Sequence, residues 1–176
     1  MKRPLVLDTT CLTHFARAGR LDTLEAISGG CERLVTPEVI QEALDGLVAH
    51  PAIGNLGGQQ WFKVVELDIN EAVRAALFKS ELGGSPRKHL GECETLAVAQ
   101  CRDGVAVIDD ADGRRLGVRH SVTVAGTLSI VARAVKTGSF DVAWASALVD
   151  DLRGTDMYLP TDGQGFESWA KLTGLL

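Results

Sequence analysis

Aromatic residues make up only 5% of the 176-residue chain, with one tyrosine and three tryptophans. So sparse a set reads as core or interface material for Trp61, Trp144 and Trp169, and not as a platform on which bases stack. Long apolar runs are missing too. None reaches the ~18 residues a bilayer span requires, and Asp8 cuts the apolar start of "MKRPLVLDTT" short of a signal peptide. The four cysteines, Cys11, Cys31, Cys93 and Cys101, form no CxxC pair and no zinc-like spacing. Buried free thiols in a reducing, cytoplasmic setting are the expectation. Excess positive charge is absent: net charge is −5, which argues against a broad basic surface that grips nucleic acid through its phosphates. No Ser-His-Asp or Cys-His nucleophile is apparent, and His14, His50, His89 and His120 lack ligand spacing, so none is assigned to a metal. With no internal repeat, low-complexity tract or convincing domain linker, the chain reads as one domain over residues 1–176.

What is present is an alternation of strands and helices. Leu5–Leu7 reads as a short buried strand, followed by a helix to about Ala18 that Thr9 or Thr10 caps, and by a second helix over Arg20–Ile27. Arg33–Val35 is a strand, Thr36 an N-cap, and Pro37 the first residue of a helix with apolar positions Val39, Ile40, Ala43, Leu44 and Leu47. "HPAIGNLGGQQ" reads as a loop and Trp61–Leu67 as a strand. Asn70 caps a helix to about Leu82, and an exposed linker over Gly83–His89 leads to a helix over Gly91–Arg102. A strand over Val105–Asp110, a small strand near Ser121–Val124 and helices at Thr127–Lys136, Val142–Leu152 and Phe166–Leu172 complete the chain. This order predicts an α/β fold: a three-layer α/β/α sandwich around a mostly parallel sheet.

Acids recur where such a sheet ends. Asp8 closes the first strand; Asp109, Asp110 and Asp112 follow another; Glu92 and Glu94 sit in the first turn of a helix, and Glu42 lies in an earlier one. Each alone has a plain structural use as a cap, a dipole partner or a solvated charge. Converging, they would repel by ~4 kcal/mol per pair at about 4 Å. A hard divalent ion, Mg²⁺ or Mn²⁺, compensates such a cluster, and metal-assisted phosphodiester hydrolysis is the chemistry it suits.

Together "LVLDTT", "LVTPEVIQEAL", "GECETLAVA", "VAVIDDADGRRLG" and "VAGTLSIVARAVKTG" resemble, in order, the motifs of the PIN domain, the nuclease fold that includes the VapC-type toxins. They cover about residues 5–138, which leaves 139–176 as a helical extension. The resemblance implies Asp8, Glu42, Glu94 and Asp110 as catalytic acids. It implies Asp8, Glu94 and either Asp109 or Asp110 as ligands of Mg²⁺ or Mn²⁺, with the last choice open. Glu94 is preferred to Glu92, which becomes a supporting residue together with Thr10, Asp112 and Arg114. Arg115 and the pair Arg87-Lys88 are lesser candidates for phosphate contact. The implied activity is a metal-dependent endoribonuclease, the toxin of a type II toxin–antitoxin pair. RNA is its substrate, an antitoxin its partner, a homodimer its assembly, and the membrane plays no part. The rivals are a non-catalytic PIN-like binding module and another phosphotransfer enzyme on a Rossmann-like sheet.

Overall fold

The computed structural model describes residues 2–176. Five parallel strands form the sheet: β1 (Leu5–Leu7), β2 (Arg33–Val35), β3 (Lys63–Val64), β4 (Val105–Val107) and β5 (Val124–Ala125), in the order β3-β2-β1-β4-β5. The chain runs outward from β1 to β3, then crosses back to lay β4 on the other side of β1. The order of strands therefore reverses between β1 and β4, and the crevice beyond their carboxyl ends is where ligands bind in open α/β sheets. Leu5, Val6 and Leu7 pair with Val105, Ala106 and Val107, so Asp8 and the acids after β4 leave the sheet at the same edge.

Side-chain alternation sorts the two faces. Leu5, Leu7, Val35 and Val107 pack against α1 (Thr9–Arg17), α2 (Leu21–Ile27), α3 (Pro37–Asp45), α7 (Thr127–Lys136), α8 (Val142–Arg153) and α9 (Phe166–Leu172). Val6, Leu34, Ala106 and Ile108 face α4 (Ile69–Leu82), α5 (Leu90–Cys101) and α6 (Ala111–Arg119). The sheet is covered on both sides, as all-parallel sheets must be.

Several local readings change. Asp8, not Thr9 or Thr10, is the N-cap of α1, with its Oδ2 accepting from the Thr10 amide at 3.3 Å. Asp68, not Asn70, caps α4: its side chain accepts from the Glu71 amide while Glu71 accepts from the Asp68 amide, a reciprocal capping box. Glu71 is buried, and Arg102 from the end of α5 donates to both its oxygens at 2.6 and 2.9 Å. The segment read as a loop holds a 3-10 helix at Pro51–Gly58, because Ile53 and Leu56, three apart, both reach the core. The strand expected over Trp61–Leu67 shortens to Lys63–Val64 at the sheet edge, where only one side has a partner. The last strand shifts to Val124–Ala125, and β4 ends at Val107, before its acids. Cys11, Cys31 and Cys93 are buried and free, whereas Cys101 is exposed at the end of α5. No helix of the described residues is long and apolar enough to cross a membrane.

Candidate active site

Asp8 is the deepest of the acids at this edge of the sheet, with 1% of its surface exposed at the junction of β1 and α1. Its Oδ2 caps the helix; its Oδ1 is buried with no hydrogen-bond partner among the described residues. Burial, the neighbouring Glu92 charge and, more weakly, Glu42 push its pKa up to about 7, although the Thr10 and Thr9 amides pull the other way. An unpaired buried carboxyl oxygen costs about 1–3 kcal/mol, so its retention asks for a compensating partner.

Glu92 projects from the first turn of α5 toward the same place. Burial raises its pKa to about 7, helped by the charges of Asp110, Glu42 and Asp112 and opposed by Lys88. His89, held at positive φ (64°) before α5, meets its Oε2 through Nδ1 at 2.8 Å. Glu42 is held at both oxygens. The Thr9 hydroxyl donates to Oε2 at 2.6 Å and the Gly91 amide donates to Oε1 at 3.0 Å, tying α3 to the N-termini of α1 and α5.

Gly91 makes the approach of Glu42 possible, and Gly113 gives room to Ile108. A Cβ on Gly91 would lie 2.5 Å from Glu42 Oε2 and 3.1 Å from Val39 Cγ2, and one on Gly113 would lie 3.1 Å from Ile108 Cγ2 and 3.5 Å from Glu92 Oε2. Gly91→Ala is therefore expected to push the Glu42 carboxylate off α5. A cleavage assay beside a melting curve should show roughly tenfold less activity for about 1 kcal/mol of stability, the net worth of one hydrogen bond.

The acids after β4 divide. Asp110 caps α6, its Oδ1 accepting from the Asp112 and Gly113 amides, and its charge acts on Glu92. Asp109 turns to α7, accepting from the Thr127 amide at 2.9 Å and the Thr127 hydroxyl at 2.6 Å, with Arg114 nearby. Asp112 pairs with Arg115, and Arg87 reaches Asp45.

Glu94 departs most from expectation. Two residues beyond Glu92 on a helix is a turn of about 200°, and Glu94 accordingly lies on the α3–α4 side, beside Thr36 and the Glu38 amide. Glu92 is the foremost charge acting on Asp8, while Glu94 feels Glu38 first and then Glu42. Of the two glutamates of this helix, Glu92 is the one coupled to Asp8, Glu42 and Asp110 together. Thr9 and His89 also stand at the cluster without having been singled out. The signal for His89 was its position three residues before Glu92, at the cap of the helix; Thr9 was hidden beside Thr10.

A family model for the PIN domain matches residues 4–163. The chain belongs to the PIN domain family. PIN domains are in general nucleases that use divalent metals, and the acids at the β1–β4 switch point occupy the edge where the fold collects ligands. No curated protein matches the chain. The match reaches well past the last motif legible in the sequence and takes in α8, which packs on the same core as β1 and β4.

As they stand, no three His, Cys, Asp or Glu side chains among the described residues lie close enough to hold one metal ion. The donor chemistry nevertheless suits a hard cation. An unpartnered buried carboxylate oxygen at Asp8 and two carboxyls with raised pKa are what a divalent ion binds and ionises. The N-termini of α1 and α6 open at this edge and favour negative charge, whether carboxylate or phosphate.

Proposed function

We propose that this PIN domain is a metal-dependent endoribonuclease, using Mg²⁺ or Mn²⁺ to hydrolyse RNA phosphodiester bonds. The observation that carries the reading is the buried, half-unsatisfied carboxylate of Asp8 at the sheet's switch point, with Glu92 and Glu42 acting on it and Asp110 acting on Glu92. Asp8, Glu92 and Asp110 would hold the cation. When bound, such an ion lowers the pKa of its water and offsets charge on the phosphate. Glu42, locked by Thr9 and Gly91, fixes the N-termini of α1 and α5, which carry or adjoin these ligands, against α3. Thr10 and Arg114 contact the phosphate from the edges. Asp109, bound to Thr127, holds α7 against the end of β4 and so shapes the site without touching substrate. The narrower assignment, a toxin that acts as a homodimer and is held by an antitoxin, rests on the resemblance of the motifs to VapC-type proteins.

A mixed RNA pool incubated with the purified protein in Mg²⁺, Mn²⁺ or EDTA tests the activity. Cleavage should require the metal. The rival reading, a non-catalytic binding module, draws on the spacing of the acids; metal and RNA binding without cleavage would establish it.

A further inference from the structure

Three of the clustered acids each have one oxygen tied down and one left open. Asp8 Oδ2 accepts from the Thr10 amide, while its Oδ1 has no partner. Asp110 Oδ1 accepts from the Asp112 and Gly113 amides, and no hydrogen bond among the described residues reaches its Oδ2. Glu92 Oε2 meets His89 Nδ1, and its Oε1 is likewise open among the described residues. Glu42 and Asp109 differ in having both oxygens engaged. The half-held acids are the three that would hold the cation, and the fully held ones tie elements together.

The group that does the holding differs. Asp8 and Asp110 are N-caps with short side chains, so amides of the helix that each one starts fix them. Glu92 is the third residue of α5, and its side chain has one more rotatable bond. Among the described residues no backbone amide reaches it, and the ring of His89 is its one hydrogen-bond partner.

His89 has little local reason to occupy its position. Its φ of 64° and ψ of 14° are left-handed, a conformation uncommon outside glycine. It stands at the N-cap of α5, yet its side chain caps no amide of the helix. Among the described residues its ring makes one hydrogen bond, the 2.8 Å contact with Glu92. Both side chains are largely buried, at 16% and 14% exposed, so water competes weakly for that bond. An ionised carboxylate only accepts, so Nδ1 carries the hydrogen in the neutral ring as in the charged one.

We propose that His89 is the positioning residue of Glu92: its Nδ1–H holds Oε2, fixes the side chain's torsions and leaves Oε1 presented to the divalent cation. The role rests on the metal-dependent reading of the site. Hydrogen bonds from residues that do not themselves touch a metal commonly orient the carboxylates that do. The ring of His89 supplies for Glu92 what helix amides supply for Asp8 and Asp110.

Mn²⁺ binding to the full chain without RNA, followed by electron paramagnetic resonance of the free ion, tests the role. His89→Gly keeps the left-handed backbone and removes the donor, so it should weaken Mn²⁺ binding by roughly tenfold or more. Its metal-free melting midpoint should stay at or above that of wild type, because glycine suits this φ. Asparagine tolerates the same backbone and places an amide Nδ2–H where the ring carries Nδ1–H. Binding by His89→Asn should therefore return to within about threefold of wild type. In a Glu92→Gln background, His89→Gly should cost little more, since the ring acts through the carboxylate already lost.

Three results would overturn the role: wild-type affinity in His89→Gly; affinity in His89→Asn as weak as in His89→Gly; or the full loss repeated in the Glu92→Gln background, which would make the ring a ligand in its own right. Each of these leaves the metal-dependent reading standing. A wild type that binds no Mn²⁺ would overturn that reading, and the role of His89 with it.

Discussion

Asp8→Asn is expected to abolish RNA cleavage, by at least roughly a hundredfold, and yet to make the metal-free protein more stable at neutral pH. Both effects come from the same carboxylate. Asparagine keeps an oxygen for the Thr10 amide, so the cap on α1 survives, but it removes a buried negative charge that faces Glu92 and Glu42. The folded-state pKa values of Asp8 and Glu92, each about 7, lie above the ordinary 3.8 and 4.5. The folded chain therefore binds protons more tightly than the unfolded chain, and its stability falls as pH rises from about 4 through about 7. Above that window the wild type bears the full cost of ionising both groups. The neutral amide of asparagine is buried too and returns part of the gain, which leaves about 1–3 kcal/mol at pH 8. Melting curves in EDTA at pH 8 should put the variant roughly 3–8 °C above wild type, and at pH 4 the two should converge. Adding Mn²⁺ at pH 8 should then raise the wild-type midpoint and leave that of Asp8→Asn in place. Equal midpoints at every pH would mean that Asp8 is not the strained charge inferred here.

The second large effect separates two glutamates that differ by two positions. Glu92→Gln should cut cleavage by roughly a hundredfold, because it removes one of the carboxylates placed with Asp8 and leaves His89 without its charged partner. It should also lower the pKa of Asp8, since Glu92 is the foremost charge acting on it; the carboxyl carbon shift of Asp8, followed by NMR against pH, reads this directly. Glu94→Gln should keep cleavage within about threefold of wild type, its side chain lying on the far side of α5. If the two variants exchange these outcomes, Glu94 is the metal-site acid and α5 presents its other face in the working enzyme.

The α/β order and most helix positions are legible in the sequence because they are set locally. Buried runs such as Leu5–Leu7, the Thr36-Pro37 start of α3 and the apolar spacing of α7 and α9 depend on residues close together in the chain. Local chemistry also explains the near misses, as Asp68 outcompetes Asn70 for the α4 cap once Glu71 can reach back to it. The loop at Pro51–Gly58 could not be resolved in this way. Two apolar residues are too few to announce a helix, and only the core they enter makes it one.

The acids themselves were visible as well: Asp8 at the end of a strand, Glu42, the GECE turn and the acids after β4. Their division was not. Whether Glu92 or Glu94 meets Asp8 depends on how α5 is rotated against β1 and α3, and whether Asp109 or Asp110 faces Glu92 depends on where Thr127 and α6 lie. Side chains two apart in a helix, or adjacent at a strand end, point in nearly opposite directions, so a one- or two-residue choice is a choice of side. That choice belongs to the packing of distant elements, and the clamp of Thr9 and Gly91 on Glu42, across 33 and 49 residues of chain, exists only once they have packed.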